Sequence, residues 1–336
     1  MKFLKISPTV FALFPILILF PLFHHPIANL HPEGLFIISK FFIAALHPSH
    51  DPMVLKNALH GIQVTIGIAF FSWSISLCVG IFLGILSSNI FWQTYNGSNS
   101  IGIYIRRLLA IPRAIHELVW GLLLLQILGL TPLVAIIGIS IPYSSLIARV
   151  TANQLDMLDN QTLIAIKHSG AGYLSALTTS VAPKIIPILT TYGGYRLECA
   201  LRGAALLGMF GLGGIGNEIQ LSLQSLEFNE LWTSLWVLFG VMILLENALT
   251  SIRKSYFEPN STQVNNYYKA LTISSLVVIF SLSLPSLGIN FKDLHIHYFN
   301  WPSFSEIINA FYQLPIFELI TATILMTFLS ACIAIG

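Results

Sequence analysis

The sequence predicts an all-α polytopic membrane protein, and three observations carry that expectation. Of its 336 residues, 55% are hydrophobic and only 9% are charged, where a soluble domain carries about 25% charged residues. The mean hydropathy is +0.78. Apolar runs of about bilayer length alternate with polar connectors along the chain, and about 20 apolar residues suffice to span the hydrocarbon core as a helix. The net charge of +2 gives no basis for a nucleic-acid partner; in such a chain the placement of the cations carries the information.

The first apolar run, Ile6 to Phe23, follows Lys2 and Lys5. It reads as a signal peptide or as a retained helix. Gly34 to Leu46 (GLFIISKFFIAAL) reads as an interfacial amphipathic helix marked by Lys40. The PSHDP segment breaks it. A second span covers about Ile62 to Leu86, and a polar connector follows from Ser87 to Ser100. Arg106, Arg107 and Arg113 precede a third span, about Ala114 to Leu130. Thr131-Pro132 makes a turn into a fourth, Leu133 to Val150. The polar segment Thr151 to Lys184 leads to a fifth span, Ile185 to Phe210. A loop from Gly211 to Glu230 precedes the sixth, Leu231 to Ile252. A polar linker ends at Lys269, and Ala270 to Leu287 and Phe317 to Gly336 add a seventh and an eighth.

Placing the N-terminus in the cytoplasm puts eleven of the sixteen Lys and Arg residues on the inside, including Lys2, Arg106, Arg113, Arg149, Lys184 and Arg253. Only Lys40, Lys56 and Lys292 fall outside. That asymmetry predicts a multi-pass protein of the bacterial inner membrane with a cytoplasmic N-terminus, and it makes 153–184 a cytoplasmic hairpin.

Thr65 to Gly80 (TIGIAFFSWSISLCVG) and Thr321 to Gly336 (TATILMTFLSACIAIG) stand in equivalent places in two similar runs of elements. The expected organisation is therefore a leading helix and outer segment over 1–55, a unit of five further spans over 56–254 (about six helices with the leading one), a linker over 255–269, and the start of a second copy over 270–336. The copy stops within an apolar run, which predicts a longer parent chain, on the order of 500 residues.

The chemistry-bearing residues lie between Leu163 and Gln220. In the hairpin, Gly170 and Gly172 permit a sharp turn and Pro183 marks re-entry into a helix; Lys167 and His168 are polar candidates for contact with another protein. In the fifth span, Tyr195, Glu198, Arg202, Leu206 and Met209 share one face at helical spacing. Glu198 and Arg202 are an i,i+4 pair in the favourable order and are expected to face the protein interior. Arg196 points elsewhere, with Glu117 and Glu246 as candidate partners. Such charges line an anion path or hold helices in register; either use offsets the cost of a charge in the bilayer, at least about 2.5–3.5 kcal/mol alone. Gly208, Gly211, Gly213, Gly214 and Gly216 read as a gate or hinge, or as a site of close helix packing. They are not a phosphate loop, because a membrane helix precedes them instead of a strand.

Other residue types point to no chemistry of their own. Cys78, Cys199 and Cys332 lie far apart in apolar runs, which predicts neither a disulfide framework nor a metal site. Eight of the ten histidines fall in outer segments, without acids or cysteines at ligand spacing, so no metal is expected. The six tryptophans read as interface anchors or packing aromatics. No nucleophile–base constellation is visible, and no G-x-x-x-x-G-K-[ST] run.

The hairpin resembles the cytoplasmic loop of permease subunits of binding-protein-dependent ABC importers. That loop follows E-A-A, three residues, G, nine residues, I-x-L-P. Ala165, Gly170 and Pro183 match it; Ile164 replaces the glutamate, and Ser180 and Ala182 replace the two aliphatics. Tyr195, Arg196, Glu198, Arg202, Leu207-Gly208 and Gly211-x-Gly213-Gly214-Ile215-Gly216 are similar to the phosphonate-type branch. So is Arg107 to Gly138, with Pro112, Glu117, Trp120, Gly129 and Pro132 among the matches. The resemblance covers about Leu55 to Lys254.

It implies a type I importer-like fold and a permease subunit that forms half of a path for phosphonate or a related phosphorus oxyanion. The hairpin would be a coupling helix, with Ala165, Lys167, His168, Gly170, Gly172 and Pro183 at its contact with a separate homodimeric ATPase that holds ATP and Mg. The implied partners are that ATPase, an extracytoplasmic solute-binding protein and a second permease unit, fused or separate. A same-fold permease for another small solute, or a non-transporting scaffold or truncated product, is the alternative.

Overall fold

The computed structural model describes residues 32–96, 100–157 and 165–257 (apart from 167 and 181), and scattered positions between 303 and 327. The expected first span, the seventh span, the linker beyond Phe257 and most of the proposed second copy lie outside the described residues. Two compact units are distinguished, Met1–Ile43 with Phe299–Gly336, and Ala44–Tyr298. The described part of the first is essentially the helix α1 (Pro32–Ala44), where the amphipathic run is expected.

The second unit is a helical bundle. α2 (Pro52–Leu86) runs for 35 residues, about 52 Å at the α-helical rise. It starts ten residues before the expected span, because Asp51 caps it through Met53 N at 2.9 Å and Pro52 suits a first turn. The polar connector after it is helical, as α3 (Asn89–Asn96) and α4 (Ser100–Leu108). α5 (Ala110–Ala114) and α6 (Glu117–Leu128) follow, then α7 (Pro132–Asp156). α8 (Tyr173–Ser180) is the helix of the hairpin. α9 (Ala182–Leu207), a wide turn (Gly208–Leu212), α10 (Ile215–Gln224) and α11 (Phe228–Phe257) complete the unit.

Two expected elements differ. The third span is not one straight helix: the axis turns by 82° between Ser100–Ala114 and Glu117–Leu128. Ile115 is extended there, and the His116 ring nitrogen accepts from Leu118 N at 3.3 Å, so a new helix is capped where the hydrophobic run continues. The expected loop 211–230 contains α10, whose Ile215, Gly216, Ile219 and Ser222 are buried and which is bent by 57° from α9. Among the described residues, three helices are long and apolar enough to cross a membrane alone, or up to five spans if each bent pair counts as one.

α2 and α7 form the centre, and small residues let them approach. A Cβ at Gly80 would lie 2.7 Å from Ile147 Cβ, and one at Gly84 would lie 2.5 Å from Thr151 Cβ. Their spacing of four places both on one face of α2, the small-xxx-small pattern of membrane helix contacts. Gly138 of α7 packs on the Gly121 backbone of α6. Around this seam the core gathers Ile68, Trp73, Val134, Ile139, Tyr143, Leu197, Leu201 and Leu207. Buried serines send their hydroxyls back to their own helices, as Ser72 does to Ile68 O and Ser140 to Ile136 O, which satisfies these donors inside the apolar core. The Trp73 indole N–H donates to Gly193 O at 2.7 Å and ties α9 to α2.

Candidate functional site

The inward face of α9, including Gly193, Leu197, Ala200, Leu201 and Ala204, is buried. Its other face carries the charged residues. The Glu198 carboxylate accepts from the Arg202 guanidinium, as the i,i+4 spacing predicts. The expectation that this pair faces the interior is corrected: the Arg202 side chain is 57% exposed and Glu198 21%, and Tyr195 beside them is 53% exposed. Packing of α9 on α2 and α7 claims its small and apolar residues, which leaves the polar stripe outward.

Arg196 takes neither expected partner, and among the described residues it makes no ion pair. Its Nε and Nη2 both donate to the Tyr192 hydroxyl, at 2.8 and 2.6 Å. Its guanidinium lies 5.0 Å from the Tyr192 ring centre, 5.3 Å from Tyr143 and 5.5 Å from Tyr195. A cation over aromatic faces is attracted by the ring quadrupole, so three tyrosines from two helices hold the charge without neutralising it.

Glu117 enters the same network at one remove. Tyr143 donates its hydroxyl to Glu117 Oε1 at 3.3 Å. The other carboxylate oxygen lies 3.4 Å from His116 Nε2. A Cβ at Gly203 would lie 3.6 Å from Glu117 Oε1, so the carboxylate sits over the α9 backbone. The first residue of α6 is also a favourable place for a negative charge. Glu246, the other expected partner, is exposed on α11.

The five glycines are of two kinds. Gly211, Gly213 and Gly214 have φ of 83°, 89° and 87°, which turn the chain between α9 and α10. Gly208 and Gly216 are points of contact: a Cβ at Gly208 would lie 2.5 Å from Gly213 O, and one at Gly216 would lie 1.9 Å from Ala205 O. Thr65 of α2 accepts from Ile215 N at 2.9 Å and fastens the break to the central helix.

The hairpin shows one seated and one open side. Ala176 of α8 is fully buried against a small cluster with Ile90, Leu155, Ile185 and Leu189. Ala165, His168, Gly170 and Gly172 are exposed, and Lys167 lies outside the described residues. Gly170 has φ 91° and ends the preceding helical turn, with Ala171 N donating back to Ile166 O. Pro183 lies in the first turn of α9, where its missing N–H costs nothing. Cys78 and Cys199 are free thiols, and among the described residues no cluster could hold a metal.

Tyr143, Tyr192, Trp73 and Thr65 were not singled out from sequence. Tyr192 stands four residues before Arg196, a signal that was open to inspection. The others depend on contacts between distant helices.

The second unit is thus the bundle of a polytopic membrane protein, with a charged outward stripe on a bent helix and an exposed hairpin at one end. The chain belongs to the binding-protein-dependent transport system inner membrane component family, whose sequence profile matches residues 76–263. That membership makes it a transporter component and not an enzyme. The chain is similar to the phosphate-import permease PhnE of Mycolicibacterium smegmatis, at 25% identity over 46% of this chain and 29% of that one. It is also similar to the phosphite transport permease PtxC of Stutzerimonas stutzeri, at 26% identity over 46% of this chain and 55% of that one. The matches therefore span about half or less of these relatives. Its fold is similar to an inward-facing structure of the MetNI methionine ABC transporter, with TM-score 0.55 and 18% identity, covering 62% of this chain and 99% of that chain.

Proposed function

We propose that this chain is one permease half of an ABC importer for phosphonate or a related phosphorus oxyanion, with the charged face of α9 lining the path. The outward Glu198–Arg202 pair is the observation that carries it. Charged groups on a membrane-spanning helix face protein or water, not lipid, so this face meets a second permease unit across an aqueous passage. Tyr195 and the tyrosine-held Arg196 stand behind it, and a cation whose charge is not cancelled attracts an anion. The relatives named for phosphate and phosphite import narrow the solute class.

In the proposed cycle, the exposed side of the hairpin around Ala165, Lys167, His168 and Gly170 docks on a separate ATPase dimer that holds ATP and Mg. An extracytoplasmic binding protein delivers the solute. The N-terminus lies in the cytoplasm, and the Gly208–Gly216 segment gates the outer side. The test is reconstitution of the full chain with its ATPase and binding protein, reading ATP hydrolysis against phosphonate, phosphite, phosphate and a dipeptide. Stimulation by a phosphorus oxyanion alone supports the proposal. Stimulation by the dipeptide alone would overturn the solute class, and none by any solute would overturn the transport role.

A further inference from the structure

At the hairpin end of the bundle, a cleft of 250 Å³ opens between α2, α4, α5 and α7, lined by Ser87, Arg106, Leu109, Arg113, Arg149 and Asn153. Three guanidinium groups from three helices share this wall. Arg106 is accounted for: its Nη2 pairs with Asp156 Oδ2 at 2.5 Å and its Nε donates to Ser87 O at 2.6 Å. The Asp156 carboxylate is in turn filled by Asn89 N at 2.9 Å and Asn89 Nδ2 at 2.8 Å, so it caps α3 and has little left to offer. Arg113 and Arg149 make no ion pair among the described residues. Two like charges facing one small cleft repel each other, and the arrangement becomes favourable when an anion bridges them.

The geometry points to a binding site for a phosphate group in this cleft, held by Arg113 and Arg149 with Arg106 as a fixed third cation. Guanidinium forks match phosphate oxygens in pairs. The cleft is smaller than the ~300–1,000 Å³ pockets of drug-sized ligands, which suits a single tetrahedral oxyanion. Basic pockets between membrane helices also take phospholipid head groups, so the phosphate belongs to a free anion or to an anionic lipid. Asn153 adds an amide to the wall. The site does not depend on what the importer carries, because its ligand is defined by the cleft and not by α9.

The test places the purified full chain in phosphatidylcholine nanodiscs and follows its unfolding temperature as inorganic phosphate replaces chloride at constant ionic strength. Ligand that binds only the folded state raises that temperature by mass action. A second set of nanodiscs contains phosphatidylglycerol and is followed first without phosphate and then through the same phosphate series. A rise with phosphate in both sets identifies a free-anion site. A rise with phosphatidylglycerol that removes the response to phosphate identifies a head-group site. In either case Arg113→Gln with Arg149→Gln is expected to weaken the response at least tenfold in ligand concentration, while Arg107→Gln, an exposed residue outside the cleft, leaves it unchanged. Arg149→Gln alone, also at an exposed position, guards against misfolding of the double variant and is expected to reduce the response. No rise in either set, or a rise that survives the double variant, would overturn the site.

Discussion

The Arg196 guanidinium lies 5.3 Å from the centre of the Tyr143 ring, and the same tyrosine donates its hydroxyl to Glu117 at 3.3 Å. One side chain of α7 therefore joins a cation on α9 to an anion on α6 without letting them meet. Tyr143→Phe keeps the ring and removes the hydroxyl, with an expected loss of about 1 kcal/mol of stability. Tyr143→Leu removes the ring as well and should cost about a further 1–2 kcal/mol for the desolvated cation–π contact and altered packing. Thermal unfolding of the two variants reads the difference; equal losses would show that the ring does not hold Arg196.

Glu198 and Arg202 should behave as a unit in transport. Glu198→Gln and Arg202→Gln each leave an unmatched charge on the outward face, whereas the double variant leaves none. The expected double-mutant cycle is strongly non-additive, by at least about 0.5 kcal/mol in ligand-stimulated ATP hydrolysis. Simple additivity would mean that the pair is not formed in the working transporter.

Glycine substitutions sort by the space available. Gly216→Ala would place its Cβ 1.9 Å from Ala205 O, against backbone that cannot swing aside, while a Cβ at Gly240 meets nothing within 4 Å. Gly216→Ala is expected to abolish the monodisperse folded protein in size-exclusion chromatography. Gly240→Ala should elute as wild type does and be more stable by up to about 1 kcal/mol from helix propensity. Gly80→Ala is expected to cost at least about 1–3 kcal/mol, because its Cβ would meet Ile147 Cβ at 2.7 Å and Ser144 O at 2.8 Å, and α2 and α7 would have to move apart.

Gly170 separates backbone strain from steric fit. Nothing lies within 4 Å of a Cβ there, yet its φ is 91°. Gly170→Ala is expected to reshape the turn at a cost of about 1–2 kcal/mol, confined to the hairpin, and Gly170→Asn to cost less, since asparagine tolerates left-handed backbone. Global unfolding should barely move for either. Ligand-stimulated ATP hydrolysis should fall for Gly170→Ala and remain near wild type for Gly172→Ala, which has neither a positive φ nor a neighbour. Undiminished stimulation in Gly170→Ala would remove the hairpin from coupling.

Hydropathy made the bundle legible because bilayer length constrains composition. The spans Leu133 to Val150 and Leu231 to Ile252 each emerge inside one helix, which runs on past the expected end to Asp156 and to Phe257. Direction was not legible. The run from Ala114 to Leu130 is apolar apart from His116, Glu117 and Gln126, but its axis breaks at Ile115 and His116, and composition averaged over a window carries no trace of an angle. The Glu198–Arg202 pair followed from spacing within one helix. The partner of Arg196 did not, because a search among carboxylates overlooks three phenol rings, one of which lies 53 positions away on α7. The outward turn of the charged stripe depended on which face of α9 the small residues Gly193, Ala200 and Ala204 would give to the core, a choice made by the neighbouring helices.

The contact between Gly208 and Gly216 makes α9 and α10 a crank of fixed angle. The elbow has no slack: its two arms touch backbone to backbone, and Thr65 pins its inner corner. Under the proposed coupling, a push at Ala182, beside the hairpin, would be passed on through the bend. α9 is 26 residues long, or about 39 Å, so a tilt of roughly 3° carries its far end about 2 Å and swings α10 with it. In that cycle the glycines would supply leverage rather than flexibility.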